Sequence, residues 1–257
     1  MEMKESGIKV ESLNESHAEI IPRAYIPIFE SHPWHEQFRC ANKIDDKDCN
    51  AGPYVHGCDD AEANLRPRFD CEEFKTGKLF KIDRGYQKCN NCNQTLTLKP
   101  YYTPEGVTED YLSDIRKPGF VGFGAFKAGN LVAMCWGYDL PYDKKSEKDD
   151  SVWYDKAGEL LLTKNVDPRN CFYHTESGTI FKERRKGIGT YLLNEMLKAH
   201  NSKNTHVTFR TINEDMRRCY EKIFKLAPHS LKGHPTFNDP NPAKRQTWYA
   251  FDITSLK

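Results

Sequence analysis

The sequence of 257 residues predicts an α+β fold built on a mixed sheet. Apolar runs at 120–126 and 131–138 flank a short turn that contains Gly129, an arrangement typical of an antiparallel hairpin. Downstream of the hairpin, strand-like runs alternate with stretches whose apolar residues recur at helical spacing. A hairpin followed by alternating strands and helices indicates one sheet that holds both strand orientations and packs against helices.

Near the N-terminus, an alternating run at 8–13 predicts the first strand. Asn14 or Ser16 can cap a helix that runs toward Phe29, and Pro22 and Pro27 predict a break in that helix.

A second helix begins well at Thr103, which can act as N-cap ahead of a proline and a glutamate, and it should end before Pro118. The polar segment 141–152 predicts a loop. The remaining predicted elements are strand 171–181, helix 190–200, strand 205–211, helix 213–225 and strand 246–253.

Residues 31–99 differ from the rest of the chain in composition. They show little periodicity, are rich in Asp, Asn, Lys, Gly and Cys, and are too numerous for a plain loop. The sequence therefore predicts an irregular insertion at 31–99 between segments 1–30 and 100–257, which together form the main domain. The three cysteines outside it, Cys135, Cys171 and Cys219, lie singly in apolar patterns typical of small core residues.

The six cysteines of the insertion favour a metal site. Cys89 and Cys92 form a Cys-x-x-Cys knuckle whose two sulfurs can reach one tetrahedral ion. The best set of zinc ligands is Cys40, Cys49, Cys89 and Cys92. The alternates are Cys58, Cys71, His35 and His56, and if all eight residues join, two zinc ions fit. We expect this zinc to be structural, because the insertion has few apolar residues with which to fold alone.

The net charge and the hydropathy of the chain disfavour a nucleic-acid-binding protein and a membrane protein. The 38 Lys and Arg residues against 37 Asp and Glu give a formal net charge of +1, which disfavours a nucleic-acid partner. No apolar run approaches the roughly 20 residues that span a bilayer, and the first residues carry no apolar signal core. We therefore expect a cytoplasmic protein without a membrane partner.

The most informative motif is the run 184–190, Arg-Arg-Lys-Gly-Ile-Gly-Thr, which lies between a predicted strand and a predicted helix. Gly187 and Gly189 leave backbone N–H groups bare of side chains, and the helix that follows directs its positive end to the same place. Bare amides, a helix N-terminus and flanking cations are suited to bind a pyrophosphate.

Arg-x-x-Gly-x-Gly after a strand resembles the acyl-CoA motif of the GNAT superfamily of N-acyltransferases. The segment 213–224, in which an Asn opens a helix that carries a Tyr and ends at a Phe, resembles the second signature of that family. The resemblance implies a mostly antiparallel central sheet with helices on both faces, and acetyl-CoA as co-substrate. It implies that acetyl-CoA binds to Thr179, Ile180, Phe181, Arg184, Arg185, Lys186, Gly187, Ile188, Gly189, Thr190 and Asn213.

Within that set, the backbone of residues 179–181 is expected to pair with the pantetheine amides, and Asn213 can be a helix N-cap as well as a pantetheine contact. The resemblance also implies that Tyr220 protonates the departing thiolate, the alternative being that Tyr220 is a core aromatic residue. Glu176 is the candidate base, acting directly or through a water molecule, unless it is a solvated residue at a strand edge. His174, two residues earlier, is expected on the same face as a substitute base or a substrate contact.

Together these features predict an acetyl-CoA-dependent N-acetyltransferase whose acceptor is a small-molecule or protein amine. The alternative is a module that senses acyl-CoA without turnover and uses the zinc insertion to dock a protein or nucleic acid. Tyr220 favours the enzyme.

Overall fold

The computed structural model describes residues 7–31, 38–50, 55–56, 68–69, 80–81, 88–89, 91–142, 151–200, 203–211, 214–224, 229–230 and 247–254. The helices are α1 (Ile21–Glu30), α2 (Pro104–Ile115), α3 (Ser151–Leu162), α4 (Ile188–Ala199) and α5 (Glu214–Phe224). The strands are β1 (Ile8–Ser12), β2 (Phe38–Cys40), β3 (Lys43–Ile44), β4 (Lys47–Asp48), β5 (Val55–His56), β6 (Arg68–Phe69), β7 (Phe80–Lys81), β8 (Thr97–Pro100), β9 (Val121–Lys127), β10 (Asn130–Asp139), β11 (Cys171–Thr179), β12 (His206–Thr211), β13 (His229–Ser230) and β14 (Thr247–Asp252).

The central sheet has the strand order β1-β9-β10-β11-β12-β14-β13. Its pairs are antiparallel except for β11 and β12, which are parallel. The β9–β10 hairpin is where the sequence predicted it. The parallel pair is joined by a crossover through α4, as parallel strands require. The predicted α+β fold with a mixed, mostly antiparallel sheet is confirmed.

Helices cover both faces of this sheet, as predicted. Successive residues of β11 point to opposite faces: Phe172 belongs to the apolar cluster that holds the buried side of α4, whereas Cys171 and Tyr173 belong to the cluster that holds α3. Helix α2 lies on the same face as α3, because Lys117 just beyond it donates to the hydroxyls of Tyr138 on β10 and Tyr154 on α3.

Two local features near the N-terminus follow from residue chemistry. Asn14 caps a short 3-10 helix at Glu15–His17, and its side chain accepts from the Ser16 amide at 3.0 Å. The chain then begins again as α1 at Ile21, so the predicted break lies before Pro22, which occupies the first turn. Pro27 is accommodated inside α1.

Helix α3 was not predicted. Part of its sequence fell in the segment assigned to a loop, and residues 143–150 lie outside the described residues. Ala157, Leu160 and Leu161 are buried and have the i, i+3, i+4 spacing of an amphipathic helix, so the signal was present in the sequence. Among the described residues, no helix is long and apolar enough to cross a membrane.

The chain divides into two compact units, Met1–Ala24 with Thr108–Lys257, and Tyr25–Val107. The second unit has short strands: β2, β8 and β7 form one small sheet, while β3 pairs with β4 and β5 with β6. Its described core is small and is made of Cys40, Cys89, Leu96 and Leu98.

Candidate functional site

The central sheet opens between its two parallel strands. The pairing of β11 with β12 covers Cys171–Tyr173 and His206–Thr208. Beyond these residues β11 continues to Thr179 paired with β10, and β12 continues to Thr211 paired with β14. Among the described residues, the two strands therefore separate toward their carboxyl ends. In open sheets with parallel strands, such a gap is the usual place for a ligand.

A β-bulge in β11 decides which side chains face which side of this gap. Trp136 of β10 lies opposite Glu176, whereas the next residue, Gly137, lies opposite His174, so Thr175 is the extra residue. Opposed residues share a face and neighbouring residues do not. His174 and Glu176 therefore point to opposite faces of the sheet. The prediction that they share a face is wrong, because strand alternation was counted through the bulge.

His174 points to the face that carries α4 and α5, where it contacts Tyr220 of α5. The Nδ1 atom of His174 lies 2.7 Å from the Tyr220 hydroxyl, and its Nε2 lies 3.6 Å from the Sγ of Cys135. The Tyr220 ring stacks on Phe209 of β12 with centroids 4.0 Å apart and on Phe251 of β14 at 5.0 Å. Both Tyr220 and His174 are buried. The Tyr220 ring is therefore packed in the core, and its hydroxyl contacts His174 on the strand beside the gap.

Burial sets the protonation of this pair. It raises the pKa of Tyr220 well above 10, and the neighbouring Cys135 and Cys219 thiols act in the same direction. Burial also lowers the pKa of His174 to about 4, which outweighs the opposite effect of a backbone hydrogen bond to Glu176. At neutral pH, Tyr220 therefore carries its proton and His174 is a neutral imidazole.

Glu176 points to the face that carries α2 and α3, beside Tyr173 and Arg210. Its side chain is half-buried, so it is not a fully solvated residue at a strand edge. Burial acts to lower the pKa of Arg210, but Tyr173 and Glu176 together raise it above its usual value. Sequence reasoning missed Arg210, although a charged residue inside the apolar run of β12 was a usable signal.

The glycine motif lies at the start of α4 as predicted. Arg185 has φ 61° and Gly187 has φ 81°, so the turn passes twice through the left-handed region. Gly187 is the N-cap and brings no side-chain acceptor to the first amides of α4, which have no intrahelical partner. A Cβ atom on Gly189 would lie 3.5 Å from Thr179 Oγ1, which is an ordinary contact. The left-handed backbone therefore favours glycine at 187, whereas the protein itself would accept a small side chain at 189.

Backbone direction along β11 alters the predicted pantetheine contacts. Ile180 donates its N–H to the Val132 carbonyl at 3.0 Å, and its own carbonyl accepts from the Glu183 amide. Because N–H and C=O directions alternate along an antiparallel strand, Ser177 and Thr179 direct theirs away from β10, into the gap. The Ile180 amide is thus engaged in the sheet. Phe181 has a largely exposed side chain, at 73 %.

The cations of the motif have partners of their own. Arg184 donates from Nε to the Thr179 carbonyl at 2.9 Å, and burial lowers its pKa, with Asp215 acting in the opposite direction. Lys186 forms an ion pair with the buried Glu183 at 2.7 Å, and Lys127 of β9 pairs with the same carboxylate at 2.8 Å. The Glu183 carboxylate therefore partly balances the positive charge of Lys186.

Other predicted contacts flank the start of α4. Ile188 is buried in the core as the first residue of that helix. The Thr190 hydroxyl donates to Cys219 Sγ at 3.3 Å and so links α4 to α5. Asn213 lies outside the described residues.

In the second unit, the four cysteines of the predicted zinc set are together. Their Sγ atoms all lie within 4.8 Å of one another; Cys49 and Cys89 are 3.5 Å apart, and Cys40 and Cys92 are 4.0 Å apart. Four sulfurs around one tetrahedral zinc at about 2.3 Å would stand about 3.8 Å apart, so the set fits such an ion. Burial raises the pKa of Cys40, and the neighbouring Cys89 and Cys49 thiols raise it further, against a backbone hydrogen bond from Asn42.

Amide donors surround these sulfurs. Asn91 donates its backbone N–H to Cys89 and its side-chain amide to Cys49, each at 3.4 Å. Asn42 donates to Cys92 at 3.5 Å. Such N–H donors suit thiolates bound to a cation. Of the alternate ligands, Cys58, Cys71 and His35 lie outside the described residues, as does the side chain of His56.

No model of a protein family matches the chain, and no curated protein matches it. Solved structures do match. They include a spermidine N-acetyltransferase SpeG variant from Vibrio cholerae (8 % identity, 98 % of this chain, 96 % of that chain, TM-score 0.45) and a GNAT-family acetyltransferase from Streptococcus pneumoniae (8 %, 96 %, 99 %, 0.43). A third is yncA from Salmonella typhimurium, described as a candidate acetyltransferase with its cofactor acetyl-CoA (9 %, 96 %, 94 %, 0.43). These TM-scores are all below 0.5.

Proposed function

We propose that this protein is an acetyl-CoA-dependent N-acetyltransferase that transfers the acetyl group directly to an amine. The observation that carries the proposal is the gap beside β11, which has the glycine turn of α4 at its end and a titratable residue on each face. Tyr220 is tied to one face through His174, and Glu176 lies on the other.

Each part of acetyl-CoA has a matching group in this arrangement. The pyrophosphate suits the uncapped amides at the start of α4, with Gly189 leaving room for its approach. The pantetheine arm suits the backbone of Ser177 and the N–H of Thr179, which point into the gap, whereas the Thr179 carbonyl accepts from Arg184. The thioester would then lie beside the bulge at Thr175, between the two faces.

The chemistry uses the two faces in opposite roles. The amine nitrogen attacks the thioester carbon, so a C–N bond forms and the C–S bond breaks. Glu176, directly or through a water molecule, takes the ammonium proton from one face. Tyr220 gives its phenolic proton to the departing thiolate from the other face. Its raised pKa keeps that proton in place at neutral pH.

The four cysteines support a second proposal, that the Tyr25–Val107 unit is held by one structural zinc ion. Cys40 and Cys89 are buried beside Leu96 and Leu98, so the sulfurs form a large part of a small core. Zinc bound by four thiolates supplies folding energy to a segment of this kind. The ligand set has no position left for a substrate, which favours a structural over a catalytic role.

The test of the main proposal is turnover. The protein is incubated with acetyl-CoA and a panel of small-molecule and peptide amines, and free CoA and acetylated amine are both measured by mass spectrometry. A thiol-reactive dye is unsuitable for detecting free CoA, because it would also react with the nine cysteines of the chain. Equal amounts of CoA and acetylated amine support the proposal. Tight binding of acetyl-CoA without turnover on any amine would favour the acyl-CoA-sensing module instead.

A further inference from the structure

His174 is buried on the face opposite Glu176, so it is not placed to replace Glu176 as the base. It lies instead 2.7 Å from the Tyr220 hydroxyl, the group proposed to protonate the thiolate. We infer that His174 is a positioning residue, which holds the Tyr220 oxygen in place through its Nδ1 while the phenolic proton is transferred. This inference rests on the proposed function and names a further residue of the same site.

The surroundings of Tyr220 explain why one hydrogen bond matters. The ring stacks on Phe209 and Phe251, which fix its plane, so the position of the hydroxyl depends on the contacts at its edge. His174 also has a backbone hydrogen bond to Glu176, and Cys135 Sγ lies 3.6 Å from its Nε2 and 3.4 Å from Met196 Sδ. Thiols and thioethers are weak hydrogen-bonding groups. The imidazole of His174, at 2.7 Å, is a much stronger partner for the Tyr220 oxygen than such a sulfur would be.

The chemistry of the imidazole suits this task. In the tautomer that carries its proton on Nδ1, His174 donates to the Tyr220 oxygen both before and after the phenolic proton leaves, and the phenolic proton can point at the thiolate. His174 keeps the same single proton throughout this step, so no buried charge forms on the imidazole. The bulge at Thr175 contributes by keeping His174 on the face of Tyr220 while Glu176 turns to the other.

The test is a set of variants compared by kcat and by KM for acetyl-CoA. His174→Leu removes the hydrogen bond, and His174→Asn keeps an amide at the position of Nδ1 that can accept or donate. His174→Leu should lower kcat by about 10- to 100-fold, the factor of one hydrogen bond to a developing charge, with little change in KM. His174→Asn should recover most of that loss. His200→Leu, which removes another buried histidine at the far end of α4, should leave kcat within about threefold.

The double variant distinguishes this inference from the proposal on which it rests. If His174 acts through Tyr220, His174→Leu should cause no further loss of kcat in a Tyr220→Phe background. Normal kcat in a folded His174→Leu variant would overturn the inference, and so would a loss that adds fully to that of Tyr220→Phe. Normal kcat in Tyr220→Phe alone would reject the acid role of Tyr220, whatever His174 does.

Discussion

Tyr220→Phe is the substitution that separates a catalytic hydroxyl from a packed ring. Phenylalanine keeps the stack on Phe209 at 4.0 Å and on Phe251 at 5.0 Å, and it removes one oxygen. In the folded protein the loss leaves His174 Nδ1 without its partner, and a buried polar atom of this kind costs about 1–3 kcal/mol of stability. The variant should therefore fold and unfold at a somewhat lower temperature.

The effect on turnover should be larger. If the hydroxyl protonates the thiolate, kcat should fall by about 10²–10⁴-fold, which is roughly 3 to 5 kcal/mol of activation free energy. The affinity for acetyl-CoA should change little, because the proposed contacts of the cofactor lie on β11 and α4. Release of CoA, measured by mass spectrometry, gives kcat, and calorimetry gives the affinity.

Tyr249→Phe is the matched control, because Tyr249 is a buried tyrosine of β14 in the same aromatic stack, 5.3 Å from Phe209. It should keep kcat within about threefold. A Tyr220→Phe variant whose kcat matched that of Tyr249→Phe would show that the hydroxyl is only a structural group, and the reasoning on the acid would be refuted.

Three further predictions concern the cofactor site, the buried histidine and the metal. Gly189→Ala should leave stability unchanged or slightly higher, because its Cβ would lie at an ordinary contact distance of 3.5 Å from Thr179 Oγ1. It should nevertheless weaken acetyl-CoA binding, measured by calorimetry. An unchanged affinity would show that the pyrophosphate does not bind at this turn. Burial lowers the pKa of His174 to about 4 from its ordinary 6.5, so between these pH values the imidazole is protonated in the unfolded chain but not in the folded one. The free energy of unfolding should therefore fall as the pH drops from about 6.5 to 4, by up to roughly 3 kcal/mol. Denaturant titrations should show a flatter dependence on pH for His174→Asn, and an equally steep dependence would contradict the lowered pKa. The purified protein should hold one zinc per chain by elemental analysis, and Cys89→Ser should lower it whereas Cys171→Ser, outside the cluster, should not; a zinc-free reduced protein would reject the site.

Much of the fold could be predicted because it is encoded in local periodicity. The hairpin, the strands β11, β12 and β14, and the helices α4 and α5 lie within two or three residues of their predicted bounds. The glycine turn could also be predicted, because the left-handed conformation of Gly187, φ 81°, is one that glycine adopts at no steric cost.

The side-chain geometry of the site could not be predicted from local periodicity. A single extra residue at Thr175 reverses the face of every residue beyond it, and the sequence carries no mark of where a strand will bulge. The contact of His174 on β11 with Tyr220 on α5 joins residues 46 positions apart. It depends on long-range packing, so it could not be predicted from local periodicity either.

The cysteine cluster could be predicted only in part from the sequence. The Cys89–Cys92 knuckle is a local signal, but spacing alone leaves several partners possible. Cys40 comes near the knuckle because β2 pairs with β8, which places it opposite Leu98. The β3–β4 hairpin then returns the chain to Cys49. These pairings decide which cysteines meet.

We propose that acetyl-CoA lies along β11 between Tyr220 and Glu176, and a crystal structure of the acetyl-CoA complex would reveal its position. We expect the pyrophosphate within about 3 Å of the first amides of α4, and the thioester sulfur within about 3.5 Å of the Tyr220 oxygen. Acetyl-CoA bound away from β11, or a sulfur remote from Tyr220 with the cofactor fully ordered, would contradict it.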